Sequence, residues 1–222
     1  MIPRGWISSL KFADFRILSF ATVFHSVGFG MDNVVLGWLV FELTDSPFMV
    51  GLASALRMIP LFLLGIFSGV LADSNDRRLY LKAATFGGGM TMTLLGIVLI
   101  LGFVNVWFVI GLYMIGGITF AFLLTLRQAY TYDIVGPDNA LSGLSILQMS
   151  SQVGAVLGAL ISGVLISEFG SGWLFVIIGF FYFGSLMILL RAKESGNSAP
   201  VSQRLNNTFL GNLKVYILSL IH

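Results

Sequence analysis

Three ionisable side chains, His25, Asp32 and Arg57, stand inside long apolar runs. An Arg at the middle of a membrane costs about 2.5–3.5 kcal/mol on insertion scales and therefore needs a partner. Asp32 precedes the outer end of its run, and Arg57 follows the outer start of the next, by similar distances. At about 1.5 Å per helical residue, both lie about 14 Å from the outer edge. The short loop Glu42–Pro47 joins the two runs, so they should be antiparallel neighbours. Matching depth predicts an Asp32–Arg57 ion pair. Such a pair either neutralises itself and fixes helix packing, or lines a water-filled cavity and helps to move substrate or protons. His25 lies two helical turns before Asp32 on the same face, with Gly28 and Phe29 near that face and Leu36 continuing it. An imidazole near a carboxylate titrates near neutral pH. The alternative is a histidine hydrogen-bonded to a neighbouring helix.

Little other chemistry is available. The chain has no cysteine, which excludes disulfides and thiolate metal sites, and its two histidines, His25 and His222, are too far apart to suggest zinc. No Ser/His/Asp set, phosphate-cradling glycine loop or carboxylate pair appears in a credible setting. The Gly28–Gly30 triplet lies inside a helical pattern and is no nucleotide fingerprint. The reading is therefore of a non-enzyme without cofactors. The net charge of +2 and the lack of a basic, aromatic-interleaved patch argue against nucleic acid.

The elements that must position these residues follow from composition. Of 222 residues, 57% are hydrophobic and 10% charged, with a mean hydropathy of +0.94. A soluble domain carries about 25% charge, so the lipid bilayer is the expected solvent for much of this chain. Six stretches approach the roughly 20 apolar residues that a spanning helix needs. They are Ile17–Phe41, Phe48–Ala72, Tyr80–Phe103, Val106–Tyr130, Leu144–Ser167 and Trp173–Leu190. The fold class is an all-α, multi-pass membrane protein, because a lone span must satisfy its backbone internally. With the N-terminus inside, eleven of the twelve Lys and Arg fall on the cytoplasmic side, the twelfth being Arg57. Both termini are therefore expected in the cytoplasm. Residues 1–16 form a cytoplasmic N-terminus and 17–190 the bundle. Residues 191–222 read as a polar linker followed by an apolar run too short to span.

Small residues set the expected packing. Gly154, Gly158 and Ser162 repeat every fourth residue, with Gly163 following, and this spacing brings helix backbones close. Pro60, three residues after Arg57, should kink the second span. Ser68–Ser74 (SGVLADS) ends the second span, and Ser162–Glu168 (SGVLISE) ends the fifth. An inverted repeat of three spans plus three would place equivalent segments in this way.

Between the second and third spans the chain reads Gly69-x-x-x-Asp73-x-x-x-Arg77-Arg78. This resembles the loop motif of the major facilitator superfamily, with Ser74 at a usually basic position and Asp76 at a usual glycine. Thr44–Pro47, Gly51-Leu52, Ala55–Pro60 and Gly69–Asp73, with Asp32, Trp38–Phe41 and Arg127–Ala129, look like the branch of siderophore exporters of the enterobactin type and related multidrug efflux proteins. The fifth span is similar to the family's antiporter motif, with Ala159 in place of its proline and Ser162 in place of a glycine. The resemblance covers nearly all of residues 12–191. It implies half of a twelve-helix fold whose halves rock about a central site, exporting small amphipathic molecules, with coupling to protons expected. It also implies a latch: Asp73 would face a helix N-terminus of the other half. Arg77 and Arg78 would pair with acids at the inner surface, Asp133 being the local candidate. An importer on the same scaffold, a six-helix scaffold that transports nothing and a truncated remnant are the alternatives. Relatives have twelve spans and this chain has six, so a C-terminal half or a second copy is the expected partner.

Overall fold

The structure, a computed structural model, describes residues 8–72, 77–103 and 105–192, and for 65–72 the backbone alone. Asp73, the side of Gly69 that would complete its motif, and the expected linker from residue 193 onward lie outside the described residues. A short 3-10 turn, Ser8–Lys11, leads into α1 (Ala13–Thr44). It is followed by α2 (Pro47–Ala72), α3 (Arg77–Ile100), α4 (Val106–Val135) and α5 (Ala140–Leu189). All five helices are long and apolar enough to cross a membrane.

Local chemistry accounts for the ends. Asp45 closes α1 in the left-handed region (φ 48°), its N–H donating to the Phe41 carbonyl, and Pro47 opens α2 where a missing N–H costs nothing. Asn105 caps α4, its side-chain oxygen accepting from the Trp107 N–H at 2.9 Å. Gly136, at φ 71°, ends α4. The helices overrun the expected spans, so Asp133 lies in the last turn of α4 rather than after it.

Between the expected fifth and sixth spans, α5 breaks helical geometry at Gly170 (φ 76°, ψ 169°). The break is a fold-back. Gly30 of α1 abuts the backbone of Ala155, and Gly28 abuts the ring of Tyr182. A straight helix would hold Ala155 and Tyr182 about 40 Å apart, so the two arms of α5 must run side by side along α1.

Helix pairing also departs from expectation. α2 was expected beside α1, its neighbour in sequence, and it does touch α1 through the Asp32–Arg57 pair. Its main partner is instead α4, with α1 touched lightly, while α3 packs against α4 and α5. The reason is Gly117, where a side chain would run into the Arg57 carbonyl and the Pro60 ring. A glycine facing the proline-bearing turn of α2 lets those two backbones meet. On the other side of the bundle, Gly154 and Gly158 lie against the Val23 and Val27 carbonyls of α1. Gly163 does not share that seam. Five residues past Gly158 it has rotated about 140° around the helix, and a Cβ there meets nothing within 4 Å. Ser162 takes the seam position, fully buried.

Two apolar clusters fill the bundle. One, towards the Asp45 end, holds Met31, Val35, Leu95, Val109, Tyr113 and Phe175. The other, towards the Asp133 end, holds Phe15, Leu18, Leu81, Leu126, Tyr130 and Leu147. Between them runs a polar belt. There Ser26 and Ser151 bond hydroxyl to hydroxyl at 3.1 Å, and Ser185 donates to the Ala21 carbonyl at 2.8 Å. Phe20, Phe62, Leu160 and Phe180 point outward, as side chains facing lipid do.

Gly158→Leu must push a side chain into the α1 backbone and should cost about 3 kcal/mol, the upper part of the usual overpacking range. Gly163→Leu should stay within about 0.5 kcal/mol. Thermal unfolding of the detergent-solubilised variants checks both.

Candidate functional site

The site is built where α1, α2 and α4 converge. Asp32 and Arg57 form a salt bridge, Arg57 Nη2 donating to Asp32 Oδ2 at 2.5 Å. The residues are 0% and 5% exposed. The other carboxylate oxygen, Oδ1, accepts from the Tyr113 hydroxyl at 2.8 Å. Arg57 Nη1 donates to Asn33 Oδ1 at 3.3 Å. The guanidinium carbon also lies over the rings of Phe29 and Tyr113, 5.3 and 5.5 Å from their centroids. Phe29 in turn stacks on Phe120 of α4. A buried charge pair survives only when its geometry and remaining hydrogen bonds are good. Here each carboxylate oxygen has a donor and the cation has two aromatic faces.

α2 reaches this site from an odd position. Its backbone lies against α4 at Gly117, so Arg57 sends its side chain back across the bundle to α1. Pro60 lacks the N–H that would bond the Leu56 carbonyl, loosening α2 next to the arginine.

His25 does not join Asp32. Seven residues separate them, about 10 Å along the helix. Its ring stacks flat on Tyr182 of α5, with centroids 4.2 Å apart, and Nε2 has no hydrogen-bond partner among the described residues. His25 and Arg57 do line one small cavity of about 10 Å³, together with Gly88, Gly116, Thr119 and Tyr182. That volume is on the scale of a single water.

At the Asp133 end, Arg77 Nη1 donates to Asp133 Oδ1 at 2.5 Å and to the Ala129 carbonyl at 3.4 Å. This clamps the start of α3 to the last turn of α4. Arg78 is also engaged. The structure thus brings Asp32 to Arg57 and Arg77 to Asp133, and holds His25 apart. Among the described residues no cluster of three or more His, Asp or Glu could hold a metal. A hollow of about 670 Å³ around Gly102, Phe103 and Trp107 sits at the turn between α3 and α4, away from these charges.

Sequence reasoning missed Tyr113, Asn33 and Tyr182. Tyr113 carried a signal, being a phenol in an apolar run about 10 Å from the start of its helix, near the depth of Asp32. Asn33 adjoins Asp32. Tyr182 had none, since its place depends on the fold-back at Gly170.

A family model described as transmembrane secretion effector matches residues 5–216. The chain belongs to this family. Its members are transporters of the major facilitator superfamily, so the chain is a multi-pass membrane protein of a transport family, as the loop motif implied. Among similar proteins is the enterobactin exporter EntS of Shigella flexneri, 25% identical over 200 residues, covering 87% of this chain and 48% of that protein. The enterobactin exporter of Citrobacter koseri is 26% identical over 179 residues, covering 78% and 42%. The chain thus spans about half the length of the curated relatives it matches.

Asp32→Asn would leave Arg57 buried without a counter-charge and should cost about 3–5 kcal/mol. Asp32→Leu combined with Arg57→Met should recover most of that loss. Thermal unfolding of the two variants in detergent checks the pair, and a double variant no more stable than Asp32→Asn would contradict it.

Proposed function

We propose that this chain forms one half of an exporter of small amphipathic molecules, working by alternating access and coupled to protons. The observation that carries the reading is the sealed Asp32–Arg57–Tyr113 cluster within a family of secretion transporters. The relatives named as enterobactin exporters support the outward direction and a cargo of this kind. The fold-back of α5 supplies a sixth crossing, and the six crossings are read as a 3+3 inverted repeat with both ends of the chain in the cytoplasm. A second half completes the cavity, either within the same gene product or as a second copy.

The chemistry is an exchange at one carboxylate. With α2 seated, Asp32 has its oxygens taken by Arg57 and Tyr113 and is closed to water. A movement that withdraws Arg57 from α1 frees the carboxylate to take a proton, and reseating α2 expels it. The loosened turn at Pro60 and the light α1–α2 contact favour such a movement. His25 lines the same water-sized cavity as Arg57 and would pass the proton along. At the Asp133 end, Arg77–Asp133 with Gly69, Asp73 and Arg78 forms the latch. A few kcal/mol there would bias the two states without locking either.

The test compares membrane vesicles from cells expressing the gene at its own locus with those of a deletion strain. Inverted vesicles should accumulate an amphipathic fluorescent dye when an inward-acid pH gradient is applied, and right-side-out vesicles should not. Asp32→Asn at the locus should reduce the rate about tenfold or more. Accumulation only in right-side-out vesicles would mean import. Equal dye levels with and without the gene would sink the exporter reading, and a full rate in the Asp32→Leu, Arg57→Met double variant, which removes the carboxylate while restoring stability, would leave the cluster a purely structural pair.

A further inference from the structure

A second arginine inside the bundle behaves differently from the first. Arg127 lies eight residues before the end of α4 at Val135, about 12 Å along the helix. It is partly buried. Among the described residues no hydrogen bond or ion pair holds it. An arginine at such a position often curls towards the membrane surface. This one instead lines a pocket between α1, α4 and α5 whose other polar members include Thr22 and Ser151 of the central belt. It is also within electrostatic reach of His25 and Tyr182, deeper still. Gln128 and Gln148, both exposed, line the same pocket, and among the described residues nothing bonds their side-chain amides.

We propose that this pocket is a subsite for an anionic group of the transported molecule, a carboxylate or phenolate carried on an apolar body. Five N–H donors without an internal acceptor are a demand for an anion, and a charge-assisted bond to a carboxylate is among the stronger polar contacts available. Leu124, Leu144 and Leu147 form the remaining walls, which suits an organic rather than a hydrated inorganic ion. The volume, about 230 Å³, is below the roughly 300–1,000 Å³ of a pocket for a whole drug-sized ligand. The pocket therefore takes one acidic group of a larger molecule, and the rest lies beyond it. The identity of that anion as cargo rests on the exporter reading; the anion site itself does not.

The experiment is equilibrium dialysis of radiolabelled benzoate, and of its neutral isostere benzamide, against the full chain in a neutral detergent. Benzoate should bind saturably and about tenfold or more tightly than benzamide. Arg127→Gln should reduce benzoate to the benzamide level, a loss of about tenfold expected for one charge-assisted hydrogen bond, while Arg127→Lys should retain part of it. Gln148→Glu, at an exposed position, should place a competing carboxylate against Arg127 and abolish benzoate binding without touching benzamide. That variant keeps the test decisive should Arg127→Gln fail to fold. Equal binding of the two probes, or benzoate binding indifferent to both changes, overturns the proposal. So does displacement of benzoate by inorganic phosphate or by phosphatidylglycerol at concentrations below those at which benzoate binds, since the site would then serve a free ion or a lipid headgroup. Binding is read here without transport. Vesicles that accumulate no dye therefore refute the exporter reading alone, and a pocket blind to charge refutes this one alone.

Discussion

A charge placed in hydrocarbon must be neutralised where it stands, and the arrangement of three helices follows from that. Arg57 leaves α2 at a depth where water is absent, so its partner has to come from another helix at the same depth. Asp32 is that partner, and Tyr113 completes its hydrogen bonding from α4. Once Arg57 is paired in this way, α1, α2 and α4 cannot slide along one another without exposing an uncompensated ion. The register of half the bundle is therefore held by one cluster. Its aromatic flanks, Phe29 and Tyr113, serve the same end by giving the guanidinium electron-rich faces in place of water.

The other half of the bundle is held by different physics. Lipid tails are as apolar as leucine, so helices in a bilayer gain little from hiding apolar faces and rely on close contact. The seam between α1 and α5 shows this, with Gly30, Gly154 and Gly158 removing every side chain that would separate the backbones. Serines then bond across it, Ser26 to Ser151 and Ser185 to the Ala21 carbonyl. Such a seam is broad and has no single weak point. The α2 contact is narrower, resting on Gly117 and on the ion pair. On mechanical grounds α2 is the element that can leave its place while the α1–α5 body stays intact.

The helical class and the approximate extent of the helices were legible in the sequence, because runs of about 20 apolar residues admit few other structures. So was the Asp32–Arg57 pair, since depth along a helix is simple arithmetic and a buried arginine narrows the choice of partner. Which helix lay beside which was not legible. Sequence adjacency suggested α1 beside α2, but a single glycine at position 117 outweighs a short loop. Nor could the residue at which α5 breaks be read, because Gly170 is one of 26 glycines and only its backbone angles distinguish it. Ser162 was legible from its four-residue interval after Gly154 and Gly158, whereas Gly163 came from a loose motif match and lies off the seam. Arg127 was counted with the cytoplasmic charges, a reading that topology rules encourage for any arginine near a helix end.

Arg57 and Arg127 together show why counting charges is less informative than tracing their partners. Both are arginines within apolar helices. For Arg57 the chain supplies the carboxylate, the second donor to that carboxylate and two aromatic faces, so the charge is balanced inside the protein. For Arg127 the described residues supply two amides, a hydroxyl-bearing rim and leucine walls, but no acid. A protein that can place Asp32 against one arginine to within hydrogen-bond distance could have placed an acid against the other. Leaving the second cation unmatched retains the cost of burying it unless something else brings the negative charge. Among the described residues, then, Arg57 is matched within the protein and ties three helices together, whereas Arg127 is left without an acid.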